Sequence, residues 1–211
     1  MPPSQKNAGI AYDVDADDRI VAVTSNWLSF ARQNQAPDLT PEIVAGRSLF
    51  DFISDWQTRY CYRTLVDRVR STQRASTIPF RCDSPTARRY MELTISPRDK
   101  GHLWFESRLL SEEERAAIPL LDPMADHSKG WILSCSWCKR INALGDWVEV
   151  EVAIRHLDLF SGGPLPRISH GVCDDCGKQL LREQKQGRPP GSTLGRAAGR
   201  RPPNKPTDTS N

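Results

Sequence analysis

The spacing of apolar positions changes along this chain, and each change marks an element. From Thr58 to Arg70, Tyr62, Leu65, Val66 and Val69 recur at helical intervals. That predicts an amphipathic helix with one buried stripe. Upstream, Ile10–Val14 and Arg19–Thr24 are short runs rich in β-branched residues. The turn chemistry of Asp15-Ala16-Asp17-Asp18 lies between them, so they predict a hairpin. Ser25 predicts an N-cap for a helix over Asn26–Gln35, with Trp27, Leu28, Phe30 and Ala31 as its stripe. Pro37 and Pro41 interrupt, and Ser48–Ile53 reads as a short helical piece. Three strands are predicted after the long helix, over Ser76–Cys82, Arg88–Ser96 and His102–Leu109. In the second, Met91, Leu93 and Ile95 alternate with Tyr90, Glu92, Thr94 and Ser96, so one face is buried.

Two strands, short helices, then three strands predict an α+β fold, one antiparallel sheet with helices on one face. That order resembles a PAS sensor domain. So does Val14-Asp15-Ala16-Asp17-Asp18-Arg19-Ile20-Val21-Ala22-Val23 followed by Asn26-Trp27-Leu28-Ser29-Phe30-Ala31. Gly46-Arg47-Ser48-Leu49-Phe50-Asp51-Phe52-Ile53 is similar to the "G-x-S-x-x-D-F-I" step of that family. The resemblance covers roughly the first half of the chain.

Downstream, Ser111-Glu112-Glu113-Glu114 has the form of a capping box and predicts a brief helix that Pro119 stops. Trp147–Val152 alternates like a strand, and Val152–Phe160 reads as helical. From Gly187 onward Pro, Gly and Arg dominate, which predicts disorder. The expected division is a PAS-like sensor domain over 8–110, a linker over 111–130, a four-cysteine zinc-binding module over 131–182 and a disordered basic tail over 183–211.

Cysteine usage adds the strongest chemical signal. Four of the six cysteines form two Cys-x-x-Cys pairs, Cys135-Ser136-Trp137-Cys138 and Cys173-Asp174-Asp175-Cys176, with 34 residues between them. Each pair aims two thiolates at one point, and two pairs supply the four soft ligands of a tetrahedral ion. The leading reading is a structural metal held by Cys135, Cys138, Cys173 and Cys176, since four protein ligands leave no open position. Zinc leads, and iron is the competitor because the same ligands accept both. A thioredoxin-type redox pair and plainly packed thiols are the alternatives. Lys139, Arg140 and Lys178 flank the pairs and could offset the charge of four thiolates. Gly177 could let backbone N–H groups turn onto sulfur. His170, three residues before Cys173, is a substitute ligand or an exposed neighbour.

Cys135-Ser136-Trp137-Cys138-Lys139-Arg140-Ile141, then Trp147-Val148-Glu149-Val150, then Ser169-His170-Gly171-Val172-Cys173-Asp174-Asp175-Cys176 are similar to a short module of bacterial signalling proteins. Its pattern is "C-x-W-C-K-x-I … W-x-x-x-E … S-H-G-I-C-P-x-C", often found beside PAS or receiver domains. This chain departs from it with Val172 for Ile and Asp174 for Pro, which removes no ligand. The resemblance implies a signalling accessory.

The handles of a PAS cofactor are weak. Cys61 lies in Arg59-Tyr60-Cys61-Tyr62-Arg63, not in the Asn-Cys-Arg-Phe-Leu core of a flavin photoreceptor. A haem needs an axial His, and His102, at a predicted strand start, is the one His in the first segment. Phe80, Met91 and Trp104 could line a small cavity, although core packing accounts for them equally, as it does for Cys61 and Cys82.

Net charge of +3 hides an asymmetry: 177–211 carries +6 and the remainder −3. Lys185-Gln186-Gly187-Arg188-Pro189-Pro190 resembles half of an AT-hook, with Gln186 in place of the first Arg. A tail of this kind could hold nucleic acid through phosphate contacts. No secretion signal opens the chain and no apolar run reaches the ~20 residues of a membrane span, which predicts a cytoplasmic protein. No phosphate-cradling loop or catalytic triad stands out, so the expectation is a non-enzymatic bacterial regulator acting through a protein partner, with homodimerisation through the PAS-like part. The alternatives are a nucleic-acid-binding regulator and a thiol redox sensor.

Overall fold

The computed structural model describes residues 9–34, 36–127, 130–159 and 163–186. The tail from 187 on, including the Arg of the AT-hook-like stretch and the stretch read as disordered, lies outside them.

The N-terminal hairpin forms because Asp15 organises its turn. Its Oδ1 accepts from the backbone N–H groups of Asp17 and Arg19 at 2.9 and 2.8 Å. Strands β1 (Ile10–Val14) and β2 (Ile20–Val23) flank that turn. Short helices α1 (Trp27–Gln33) and α2 (Pro41–Val44) follow, then a 3₁₀ turn over Leu49–Phe52 that Ser48 caps from its side chain. Helix α3 (Trp56–Thr72) opens on Asp55, whose Oδ1 accepts from Thr58 N–H at 2.7 Å. Strands β3 (Ser76–Arg81), β4 (Ala87–Pro97) and β5 (Leu103–Glu114) complete an antiparallel sheet ordered β2-β1-β5-β4-β3. This is the α+β architecture that the element order implied, one antiparallel sheet with helices packed on it.

Leu93 and Ile95 of β4 turn inward as their alternation requires and share one core with Leu65, Val66 and Val69 of α3. Met91 is also buried. Arg70 clamps α3 to two turns of the sheet. It donates to the carbonyls of Gly101 and Asp15 and pairs with Asp18 Oδ1 at 2.7 Å.

The second half builds a four-stranded sheet ordered β8-β7-β6-β9, from β6 (Trp131–Cys135), β7 (Ile141–Ala143), β8 (Asp146–Val148) and β9 (Arg167–Gly171). Helix α4 (Val150–His156) covers it, and α5 (Asp174–Gln186) closes the described chain. A core of Ile132, Ile141, Val150, Ala153 and Ile154 includes Ile118 and Leu120 from the connecting segment.

Three local expectations are corrected. Ser111–Glu114 extends β5 rather than opening a helix, because Arg88 and Arg89 of β4 stand opposite Glu113 and Glu112 and Arg89 pairs with Glu112. Asn26, not Ser25, precedes α1, and it makes no side-chain cap. The predicted strand through Val152 ends at Val148, where Glu149 begins α4.

The two sheets meet across a charged seam. Arg81 has a side chain only 6% exposed and contacts Asp83 and Glu149. Arg88 reaches Glu149 and Glu151 at 3.4 and 3.0 Å, and Arg115 reaches Asp83 and Glu151, both at 3.3 Å. Asp83 and Glu149 together hold the Arg81 pKa above its ordinary value against the burial that lowers it. Burial pushes the Glu151 carboxyl up, but its own helix N–H and the charges of Arg88 and Arg115 outweigh this and leave it below its ordinary value.

Breaking the seam should be costly. Arg81→Met leaves the buried Asp83 with Arg115 alone, and urea unfolding should show a loss of about 3 kcal/mol. A loss within experimental error would mean that the seam carries no stability. Glu151 contributes to the pH dependence. Its lowered folded-state pKa contributes stability that is complete above the ordinary carboxylate range and is lost as pH falls through the lowered value. Glu151→Gln should flatten the acid limb of a stability-versus-pH curve without changing its plateau slope.

Candidate metal centre and the adjoining cavity

Parallel pairing of β6 with β9 places Cys135 opposite Gly171. The two Cys-x-x-Cys turns leave the sheet side by side at that point. In the first, Lys139 takes a left-handed conformation, φ 60°, and its N–H donates to the Cys135 carbonyl at 3.0 Å. The turn therefore doubles back, with Cys138 beside Cys135. In the second, Cys173 sits between β9 and α5, and Cys176 stands in the first turn of α5.

The four Sγ atoms lie within 4.8 Å of one another, with Cys135 and Cys173 buried and Cys138 and Cys176 half-buried. Cys138 and Cys173 Sγ are 3.7 Å apart. A tetrahedron with metal–sulfur bonds of about 2.3 Å has edges of about 3.8 Å, so the donor set fits zinc or iron. The hydrogen bond between Cys135 and Cys138 holds the Cys135 thiol below the ordinary range and pushes Cys138 above it. A divalent cation would bind the four as thiolates.

Backbone N–H groups of Cys173 and Cys176 point at Cys135 Sγ (3.4 Å) and Cys173 Sγ (3.5 Å). Gly177 plays no such part. Its N–H donates to the Cys173 carbonyl, and a Cβ there would meet only Val172 at 3.9 Å. Nor is Arg140 free to face sulfur, since it lies 3.7 Å from Glu149 and 3.6 Å from Asp175. Lys178 is exposed, and exposed His170 is outside the sulfur cluster.

A cavity of about 470 Å³ adjoins this centre. Tyr12, Phe80 and Leu93 line it from the first sheet, and Trp27, Val44 and Leu49 from the helices and the 3₁₀ turn. The start of α3 adds Asp55, Thr58 and Tyr62, and another wall is the first cysteine turn itself, Ser136, Trp137 and Lys139, with His170. Phe80 is where the sequence suggested, but Met91 and Trp104 are not lining residues. Met91 is packed in the sheet, and Trp104 lies on its other side beneath the Arg98 guanidinium at 4.3 Å. His102 also stands apart from the cavity, with Nδ1 2.9 Å from Asp13 Oδ1.

Trp137 joins the two features. It lies between two cysteines, is buried, and packs on Tyr62 with ring centroids 5.2 Å apart. Its carbonyl accepts from Arg81 N–H at 2.8 Å. Burial pushes the Tyr62 phenol up to about 12, so it stays neutral. Two further bonds fasten α3 to the cysteine loops. Ser136 Oγ donates to Asp55 Oδ2 (3.3 Å), and Val172 N–H donates to Gln57 Oε1 (3.1 Å). Gly171 leaves room for that Gln57 contact, because a Cβ would stand 2.7 Å from Gln57 Oε1. No pattern in the sequence marks this wall of Ser136, Trp137 and Lys139.

No protein-family model matches the chain, and no curated protein matches it. Among solved structures, the chain is similar to a domain of an HTR-like protein from Haloarcula marismortui ATCC 43049. That match is 15% identical, covers 49% of this chain and 98% of the other, and has a TM-score of 0.35. It is similar to the photoactive yellow protein domain of the sensor histidine kinase Ppr from Rhodospirillum centenum, at 19% identity, 47% and 84% coverage and TM-score 0.37. A sensory box sensor histidine kinase from Vibrio cholerae is 11% identical, with 49% and 82% coverage and TM-score 0.36.

Proposed function

We propose that this chain is a non-enzymatic signal-transduction protein in which a PAS-like sensing part is coupled to a structural zinc centre and acts through a protein partner. One observation carries the reading: the turn that brings Cys135 and Cys138 together is also a wall of the cavity in the sensor fold. A change in the cavity therefore bears on the metal turn through Trp137. Cys135, Cys138, Cys173 and Cys176 hold the ion, which supplies cross-linking and no reaction. The fold, the four-cysteine pattern and the cavity support a binding role. Output passes to another protein, and the PAS-like part pairs two copies of the chain. Among the described residues no helix is long and apolar enough to cross a membrane.

Elemental analysis of protein purified without added metal should find one zinc per chain and no visible absorption band. Cys173→Ser should lose the metal and lower the melting temperature, with exchange protection lost first over 131–182. A visible band would replace zinc with iron, and a metal-free folded chain would end the structural-metal reading. Coupling is tested separately. Val44 lines the cavity and is 1% exposed, so Val44→Phe fills the space from the helical side. Hydrogen exchange should then change at 135–140 and along α5. Changes confined to the first sheet would disconnect the cavity from the metal turn.

A further inference from the structure

We infer that the cavity is a binding site for a small aromatic or branched aliphatic acid, whose carboxylate is met at the mouth by Lys139 of the metal turn. The inference deepens the sensing role proposed above and rests on it. Its volume of about 470 Å³ falls in the range of small-molecule sites, roughly 300–1,000 Å³.

The class of ligand follows from which polar groups on the wall are already engaged. Asp55 is used twice, by Thr58 N–H and by Ser136 Oγ. Arg81 is held by Asp83 and Glu149. Lys139 is half-buried and has no carboxylate partner among the described residues. An ammonium in that setting favours an anion over a neutral group.

A second observation is independent of charge. Thr58 is 7% exposed, lines the cavity, and its Oγ1 has no hydrogen-bond partner. Buried hydroxyls are ordinarily satisfied, so an orphan on a cavity wall points to a missing polar partner. Apolar and aromatic side chains make up most of the rest of the lining, so the body of the ligand is apolar. Lys139 also holds a left-handed backbone conformation that glycine would adopt without strain. The backbone turn that gathers the sulfurs thus also places Lys139 on the cavity wall.

The test uses the full chain with its measured metal content, and 2-naphthoate against the isosteric 2-naphthamide as probes. Binding is read by calorimetry and by quenching of Trp27 and Trp137, both in the wall. Naphthoate should bind at least about tenfold more tightly than the amide, the size expected of one charge-assisted contact. Lys139→Met should remove that preference, with metal content measured on the same sample so that a loss of the ion is told apart from a loss of the acid contact. Thr58→Val should weaken naphthoate several-fold. Equal binding of acid and amide, or an acid preference that survives Lys139→Met, would overturn the assignment of the acid. Binding of neither probe to metal-loaded chain would overturn the cavity as a ligand site while leaving the metal reading intact. Naphthoate binding with Lys139 dependence in a chain that holds no zinc would support the acid site and remove the zinc from the proposed function.

Discussion

The parallel register of β6 and β9 is the constraint on which the second half of the molecule depends. It puts Cys135 beside Gly171, so two turns far apart in sequence leave the sheet at one place. A one-residue slip would turn Cys135 to the opposite face and separate the sulfurs. The sheet sets the register coarsely through the paired Ile132 and Ile168, which both pack in the small core under α4. The close approach of Gln57 to Gly171 sets it finely. Sulfur geometry is thus a product of strand packing and of α3, which belongs to the other sheet.

Electrostatics fix how the two sheets are oriented against each other. Asp83 is 3% exposed at the side chain and is approached by both Arg81 and Arg115. Charges so far from water are tolerable only when paired and hydrogen-bonded. Glu149 stands at the start of α4, where the helix N-terminus already favours an anion, and it is shared by Arg81, Arg88 and Arg140. The seam therefore specifies orientation more than it adds stability: sliding one sheet over the other would strand buried charge. Arg88 Nε, Arg115 Nε and Glu151 Oε2 remain unpartnered within it, the residue of fitting planar forks to a crowded set of acids.

Periodicity made the first sheet legible. Met91, Leu93 and Ile95, and Leu65, Val66 and Val69, announce their faces because one side of each element meets the core and the other meets water. Ligand spacing made the sulfur cluster legible, since two short turns leave few other uses for four cysteines. What stayed hidden was everything that joins distant segments. Ser111–Glu114 has the local form of a helix start, and only the arginines across the strand pair make it sheet. Trp104 and Met91 are as apolar as Phe80, but a strand's two faces cannot be assigned to a cavity without knowing what covers them. The wall formed by Ser136, Trp137 and Lys139 has no signature, because nothing in a Cys-x-x-Cys turn says against which surface it will lie.

One core feature bears on how the chain is made. A single group of buried residues runs from Val14 in β1 through Val69 in α3 and Phe105 in β5 to Trp137, Cys173 and Leu180. β1 must wait for β5, its partner across most of the first hundred residues, and the surface they bury against is finished only by α5. During synthesis the emerging first half carries an open apolar side with no complement yet translated, a state in which a nascent chain needs shelter. Long-range pairing of this kind slows folding, since distant ends must meet before their contacts can stabilise anything. The order of assembly of this core is thus set by α5.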